Sequence, residues 1–326
     1  MTSRKILLYY AWSRPDEVGA PLEVIENRFP ALFESRRLFY PHYREFSDPR
    51  RFDQSVAGFL DHIMKPNFAA FLEQAAAQTG RPVTAVERVG AQGVHAPLDA
   101  ALLGGVDTLI VISFDSLRSK QTASAMEIAA LKDFLADPDR LVFVGPHHDI
   151  GGDETLSGDA RARAEDIDFL HHGDRSIPPQ QRFGGFARTL LAGLGITVEN
   201  RFGLRPAAAA DGTPAPIRIE RAHDRLHLLD GVTTFNHHPH LPQLERLDDA
   251  ATKMDVLARQ AIDLAAPPHP YVQAGHETFD ALLQSRAGLF AGTLLVGDAT
   301  LWSGTAGGLD SLRRFWTNVV QRPARA

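Results

Sequence analysis

The stretch that decides the fold is Thr108-Leu109-Ile110-Val111-Ile112-Ser113, an apolar run rich in β-branched residues. Such a run predicts a strand that is buried on both faces of a sheet. A second apolar run, Leu141-Val142-Phe143-Val144, follows a segment with helical periodicity over residues 124–136. Strands that alternate with amphipathic helices predict a mostly parallel sheet with helices on both faces, so we expect an α/β fold.

Further elements are predicted on both sides of this strand-helix-strand unit. Residues 145–182 show little periodicity and are rich in Gly, Asp, Arg, His and Pro, which is typical of a functional loop. We therefore expect one α/β domain over residues 1–326, with a long functional loop region at about residues 145–182. The remaining apolar patterns predict strands over residues 6–10, 82–86, 197–200 and 292–298 and helices over residues 21–33, 55–77, 98–103, 184–194 and 309–320.

The composition is that of a globular protein. The 326 residues are 44% hydrophobic and 23% charged, with a formal net charge of −6. Lys and Arg are scattered along the chain, so no basic field for nucleic acid is expected. The apolar run at the N-terminus is too short for a signal sequence, and no apolar window is long enough for a membrane helix. We expect a cytoplasmic protein with no membrane partner, and the sequence leaves a homo-oligomer open.

Cysteine is absent from the chain. Disulfides, a thiolate nucleophile and cysteine-based metal sites are therefore excluded. The polar segments Gly297-Asp298-Ala299-Thr300 and Ser303-Gly304-Thr305-Ala306-Gly307-Gly308 fit neither the phosphate-loop consensus nor the dinucleotide fingerprint. No nucleotide cofactor is expected.

A histidine-acid cluster, His147-His148-Asp149, follows directly on the second apolar run. In open α/β sheets, ligands bind outside the carboxyl ends of the strands, so these side chains are candidates for a catalytic site. Imidazole and carboxylate serve as general acid/base pairs and as metal ligands. The alternative is that one histidine caps a helix or forms a core hydrogen bond while the other is exposed.

A second cluster contains His171, His172 and Asp174, about two dozen residues after the first. His172 and Asp174 join the catalytic candidates. The two clusters can converge on one divalent cation, Zn, Fe or Mn, because these metals accept imidazole and carboxylate together. The alternative is a polar loop with ordinary hydrogen bonds. The candidate metal ligands are His147, His148, His171, His172 and Asp174.

Candidate substrate-binding residues lie near the same predicted cleft. Gln181 and Arg182 precede a predicted helix, whose N-terminus favours an anion, although a surface arginine is the alternative. Ser113 and Asp115 end the best strand, where a capping role is equally consistent with the sequence. His238 belongs to the polar segment 233–240, which is either a further part of the pocket or a surface loop.

The strand-helix-strand rhythm of residues 105–147, together with the ending Leu295-Val296-Gly297-Asp298-Ala299-Thr300, resembles the class I glutamine amidotransferase-like superfamily. Its trehalose-utilisation (ThuA-like) and uncharacterised branches are the most similar. The resemblance implies a flavodoxin-like sheet and places His147 and His148 at the turn that carries the family's cysteine nucleophile. Because this chain has no cysteine, cysteine-dependent glutaminase chemistry is excluded.

Two classes of function follow from these residues. The first is an enzyme that acts on a small polar metabolite, with a hydrolase that uses a His/Asp site and a divalent metal as one form of it. The second is a non-catalytic ligand-binding or scaffold protein that kept an amidotransferase-like fold and lost the nucleophile. The density of histidine in predicted loops favours the enzyme.

Overall fold

The structure, a computed structural model, describes most of the chain. The described residues are 4–18, 60–113, 115, 121–146, 149–150, 158–159, 180–181, 185–199, 203–238, 241–266 and 270–323. Their strands are β1 Ile6–Ser13, β2 Thr84–Val89, β3 Thr108–Ser113, β4 Leu141–Pro146, β5 Asp149–Ile150, β6 Gln180–Gln181, β7 Val198–Glu199, β8 Gly203–Leu204, β9 Arg218–Ile219, β10 Leu241–Pro242, β11 Glu245–Arg246, β12 Met254–Ala261, β13 Thr278–Ser285 and β14 Thr293–Gly297.

The helices of the described residues are short or of moderate length. None of them combines the length and the apolar character that crossing a membrane would require. A π-helical turn, Leu60–Met64, precedes α2, and a 3₁₀ turn, Ala299–Trp302, follows β14. The α-helices are α1 Arg14–Val18, α2 Lys65–Asn67, α3 Ala69–Thr79, α4 Ala100–Leu103, α5 Ala125–Phe134, α6 Gly185–Gly193, α7 Ala250–Lys253, α8 Pro270–Gln273 and α9 Leu309–Gln321.

An eight-stranded sheet organises the molecule, with the strand order β2-β1-β3-β4-β14-β13-β12-β9. The pairings from β2 through β14 are parallel. β13, β12 and β9 continue the sheet with antiparallel pairings. The remaining short strands pair as β10-β8, β11-β7 and β5-β6. The predicted α/β fold with a mostly parallel sheet is confirmed.

Helices cover the sheet on both faces. Successive residues of each buried strand point to opposite sides, so each strand contributes to two cores. On one face, Leu8 belongs to the same core as Phe71 of α3 and Trp316 of α9. On the other face, Leu7 packs in a second core with Leu190 of α6. β1, β3, β4 and β14 are buried along their whole length, as continuous apolar runs predict, whereas β2 at the sheet edge is partly exposed.

The predicted strands agree with the structure best where the sequence has a continuous apolar run. The strand predicted over residues 108–113 has those bounds, and the one over residues 292–298 is Thr293–Gly297. The helix predicted over residues 21–33 lies outside the described residues. β12 and β13 are long strands that the apolar pattern does not single out.

Candidate functional site

The carboxyl ends of the parallel strands meet at one edge of the sheet, which we call the carboxyl edge. Ser113 of β3 is paired with Pro146 of β4, and Val144 of β4 is paired with Val296 of β14. Neighbouring strands lie about 4.8 Å apart, so the ends of β3 and β14 are separated by about 10 Å with β4 between them.

The turn after β14 packs against the end of β4. A Cβ added to Gly145 would lie 3.2 Å from the Cα of Ala299 and 3.3 Å from the carbonyl oxygen of Val111. Only glycine leaves room for this close approach of three backbone segments. The 3₁₀ turn that begins after Asp298 is therefore in direct contact with the strand end that continues toward His147.

Ser113 and Asp115 bind the start of α6. The Oγ of Ser113 donates a hydrogen bond of 2.6 Å to Asp115 Oδ1. The backbone N–H of Phe186 donates to Asp115 Oδ2 at 3.0 Å, and that of Ala187 donates to Ser113 Oγ at 3.1 Å. Both side chains are buried. They satisfy N–H groups that a helix start leaves without a partner inside the helix, which is a capping role.

A buried polar cluster lies beyond the end of β14. Asp298 Oδ1 accepts the hydroxyl of Thr300 at 2.5 Å and its backbone N–H at 2.8 Å. Asn236 Nδ2 donates to Thr300 Oγ1 at 3.0 Å. Gln260 Nε2 donates to the carbonyl oxygen of Asn236 at 2.8 Å. We call Asn236, Gln260, Asp298 and Thr300 the amide-acid cluster, and all four are buried.

A cavity of about 10 Å³ adjoins the amide-acid cluster, with Phe279 of β13 among its lining residues. Its volume suits about one water molecule, and the polar groups of the cluster supply hydrogen-bond partners. The backbone N–H of His238 donates to Asn236 Oδ1 at 3.2 Å. The neighbouring His237 has a buried Nδ1 without a hydrogen-bond partner among the described residues. The predicted residue His238 is thus tied to this cluster through its backbone.

An ion-pair network lies at the β1-β2 end of the carboxyl edge. The guanidinium of Arg14 makes bidentate contacts with Glu87, at 2.6 and 2.8 Å, and with Asp61, at 2.9 and 3.0 Å. Lys65 pairs with both carboxylates, and Trp12 donates its indole N–H to Glu87 at 3.1 Å. Among the described residues, two cations and two anions form this network, an arrangement typical of a structural ion-pair network.

The ion-pair network lowers the pKa of Glu87. Burial alone would raise the pKa of this carboxyl, but hydrogen bonds from Arg14, Lys65 and Trp12 outweigh burial and lower the pKa to about 2. The same two opposing causes act on Asp61, whose pKa is also lowered. Both carboxylates are ionised at neutral pH.

The structure describes part of the predicted site. Asp149 and Gln181 lie opposite each other, because β5 and β6 pair in an antiparallel ladder that also joins Ile150 to Gln180. This ladder brings the two ends of the predicted loop region together. The other predicted catalytic, metal-binding and anion-binding residues lie outside the described residues: His147, His148, His171, His172, Asp174 and Arg182.

The metal prediction rests on residues that the structure does not describe. Within the described ranges, no group of three or more His, Cys, Asp and Glu side chains is arranged to hold a metal ion. Because the five candidate ligands lie outside those ranges, the divalent-metal site stays a prediction.

The amide-acid cluster contains residues that the sequence reasoning did not select for the site. Asp298 carries a signal, an acid directly after an apolar strand, and Asn236 lies in the polar segment that was singled out for its histidines. Gln260 carries none, because its contact with Asn236 spans 24 residues and depends on the tertiary fold.

Searches with the sequence match no protein-family model and no curated protein. Among solved structures, a chain described as the crystal structure of Agd3, a novel carbohydrate deacetylase, is similar to this chain with a TM-score of 0.41 and 8% sequence identity. The match covers 99% of this chain and 33% of that chain, so this protein spans about a third of the length of that structure. A likeness of this extent carries no argument about function.

Proposed function

We propose that the protein is an enzyme that acts on a small polar metabolite at the carboxyl edge, with hydrolysis as the favoured reaction. The observation that carries the proposal is the packing around the end of β4. Ser113 pairs with Pro146 on one side, and Ala299 approaches Gly145 on the other. His147 is the next residue after Pro146 in the chain. A histidine pair therefore follows directly on a strand end that lies between Ser113 and Ala299.

The roles follow from the chemistry of the side chains. His147 or His148 acts as the general base or as a metal ligand, and Asp149 or Asp174 orients the imidazole. Arg182 binds an anionic group of the substrate. The amide-acid cluster contributes a buried polar wall and room for about one ordered water beside Asp298.

We further propose that the sheet is flavodoxin-like and related to the class I glutamine amidotransferases. The parallel order β2-β1-β3-β4-β14 supports this, since it corresponds to the order 2-1-3-4-5 of flavodoxin-like sheets. The end of β4 would then be the nucleophile position of that family. With no cysteine in the chain, an imidazole replaces the thiol there.

A divalent metal, Zn, Fe or Mn, is part of the proposal. The candidate ligands combine imidazole and carboxylate, a donor set that suits these metals. When bound, such a metal supplies a Lewis acid to the site. The proposed protein ligands are His147, His148, His171, His172 and Asp174.

The test is a turnover screen with matched metal analysis. Purified protein is assayed against p-nitrophenyl esters, phosphates and glycosides and against p-nitroanilides. It is then stripped with a chelator and re-supplied with Zn, Fe(II) or Mn. We expect hydrolysis of at least one substrate class, a stoichiometric metal in the purified protein, and a loss on chelation that one metal restores.

Two results of this screen would contradict the proposal in different ways. Hydrolysis that survives complete metal removal would agree with the proposed enzyme and contradict the proposed metal site. No turnover of any substrate would instead favour the non-catalytic binding protein, for which Ser113, Asp115 and Asp298 act as capping groups only.

A further inference from the structure

A cleft lies at the opposite end of the sheet, where the amino ends of β1 and β2 meet the turn before β3. Its volume is about 460 Å³, which is within the range of small-molecule sites. β1 is eight residues long, so the cleft and the carboxyl edge are separated by roughly 26 Å. This cleft therefore belongs to a different site from the one proposed above.

Among the residues that the structure describes, three cationic side chains line the cleft, those of Arg4, Lys5 and Arg81, and none of the lining residues is acidic. Because Leu7 is paired with Thr84, Lys5 lies at the level of Pro82, beside Arg81. The Nζ of Lys5 lies 3.6 Å from where a Cβ of Gly105 would be. Lys5 and Arg81 thus line the cleft from neighbouring chain segments.

The charges of Lys5 and Arg81 are available to a ligand. Neither side chain makes a hydrogen bond or ion pair with any residue that the structure describes, and both residues are exposed. Arg4 is anchored by the backbone carbonyl oxygens of Asp139 and Arg322, each at 3.2 Å. The nearby carboxylate of Asp107 pairs with Arg140 at 2.8 Å and accepts the backbone N–H of Lys5, also at 2.8 Å.

The other walls are apolar. Leu7 and Val106 form a buried floor, and Val83 and Leu102 are partly buried beside it. A ligand that fits both features has an anionic group for the cations and a flat or aliphatic body for the apolar walls. Guanidinium and ammonium groups bind phosphate and carboxylate alike.

We propose that this cleft binds a small organic anion, a phosphate ester or a carboxylate with an apolar body. The inference stands independently of the proposed enzyme, because it uses residues from the opposite end of the sheet. Lys5 and Arg81 hold the anionic group, and the floor formed by Leu7 and Val106 contacts the apolar part.

The experiment is isothermal titration calorimetry of the full chain with 1-naphthyl phosphate, 1-naphthoate and the neutral 1-naphthol. At least one anion is expected to bind, with 1-naphthol weaker by about tenfold or more. A preference for the phosphate identifies phosphate esters as the ligand class, and the reverse preference identifies carboxylates. Failure of both anions to bind overturns the proposal.

Variants locate the binding in the cleft. Lys5→Gln/Arg81→Gln removes two exposed charges and is expected to weaken anion binding by about tenfold or more. Lys132→Gln/Arg313→Gln removes the same charge from exposed helix positions elsewhere and is expected to leave the affinity within about twofold. Ala101→Trp fills the cleft from an exposed position without changing charge and is expected to weaken binding as strongly. An affinity that survives either cleft variant contradicts the assignment.

Discussion

At the scale of single residues, Glu87 gives the clearest link between geometry and a measurable property. Its side chain is only 15% exposed and accepts hydrogen bonds from Arg14 and Trp12 while pairing with Lys65. A buried carboxylate is costly unless it is paired, so these contacts determine whether burial raises or lowers its pKa. The contacts prevail, and the ionised form is stabilised in the folded state.

The free energy of unfolding is expected to depend on pH through Glu87. The pKa falls from an ordinary 4.5 to about 2 on folding, which corresponds to about 3 kcal/mol of stability at neutral pH. Because the folded pKa is the lower one, this contribution is complete above pH 4.5 and disappears as the pH falls to about 2, with about half lost near pH ~3. Urea unfolding of Glu87→Gln and of the unmodified protein, compared between pH 7 and pH 3, measures it.

The control for Glu87→Gln is Glu220→Gln. Glu220 is 49% exposed and pairs with Arg259 at 2.9 Å. An exposed pair of this kind contributes about 0.5 kcal/mol or less. A stability difference between Glu87→Gln and the unmodified protein that stays constant from pH 7 to pH 3 would show that the network does not hold the Glu87 carboxylate as described.

At the scale of elements, the predicted substrate-binding residues Ser113 and Asp115 cap the start of α6. Ser113 and Asp115 accept the N–H groups of Ala187 and Phe186. A Cβ on Gly185 would lie 2.5 Å from the carbonyl oxygen of Gln121, so the helix can begin this close only with glycine there. The carboxyl end of β3 thereby fixes the position at which α6 begins.

Asp115→Ala is expected to lower the free energy of unfolding by about 2–3 kcal/mol, because two buried donors lose their acceptor. Asp99→Ala is the matched control, since Asp99 is an exposed cap that accepts the N–H of Leu102 at 2.8 Å. Its loss should cost about 1 kcal/mol. If urea unfolding finds the two substitutions equal, the buried capping contacts do not stabilise α6 as the geometry indicates.

The sequence predicts the central strands of the sheet better than its antiparallel part, for a physical reason. β3, β4 and β14 are continuous apolar runs, because both of their faces are covered. β12 and β13 place Asp255, Gln260 and Gln284 in buried positions. Partners distant in the chain bind these groups, such as the carbonyl oxygen of His223, which accepts from Gln284 Nε2 at 2.8 Å. A single stretch of sequence does not contain those partners.

At the scale of the whole molecule, the strand order determines which edge of the sheet can hold functional side chains. Four parallel pairings bring the ends of β2, β1, β3, β4 and β14 to one edge, and the first apolar runs were sufficient to predict that edge. The members of the amide-acid cluster were not predicted as a group, because Asn236 and Thr300 are 64 residues apart in the chain. Residues within one loop can be selected from sequence, whereas contacts between loops require the fold.

The most direct test of the central claim compares two double variants on the substrate that the unmodified protein hydrolyses fastest. His147→Ala/His148→Ala removes the histidine pair after β4. His223→Ala/His276→Ala removes two exposed histidines elsewhere and serves as the control. A site at the carboxyl edge predicts that kcat/KM falls by about 10²-fold or more in the first variant, the usual contribution of general acid–base catalysis, and stays within about twofold in the control. Equal activity of the two variants would contradict a catalytic site at the end of β4.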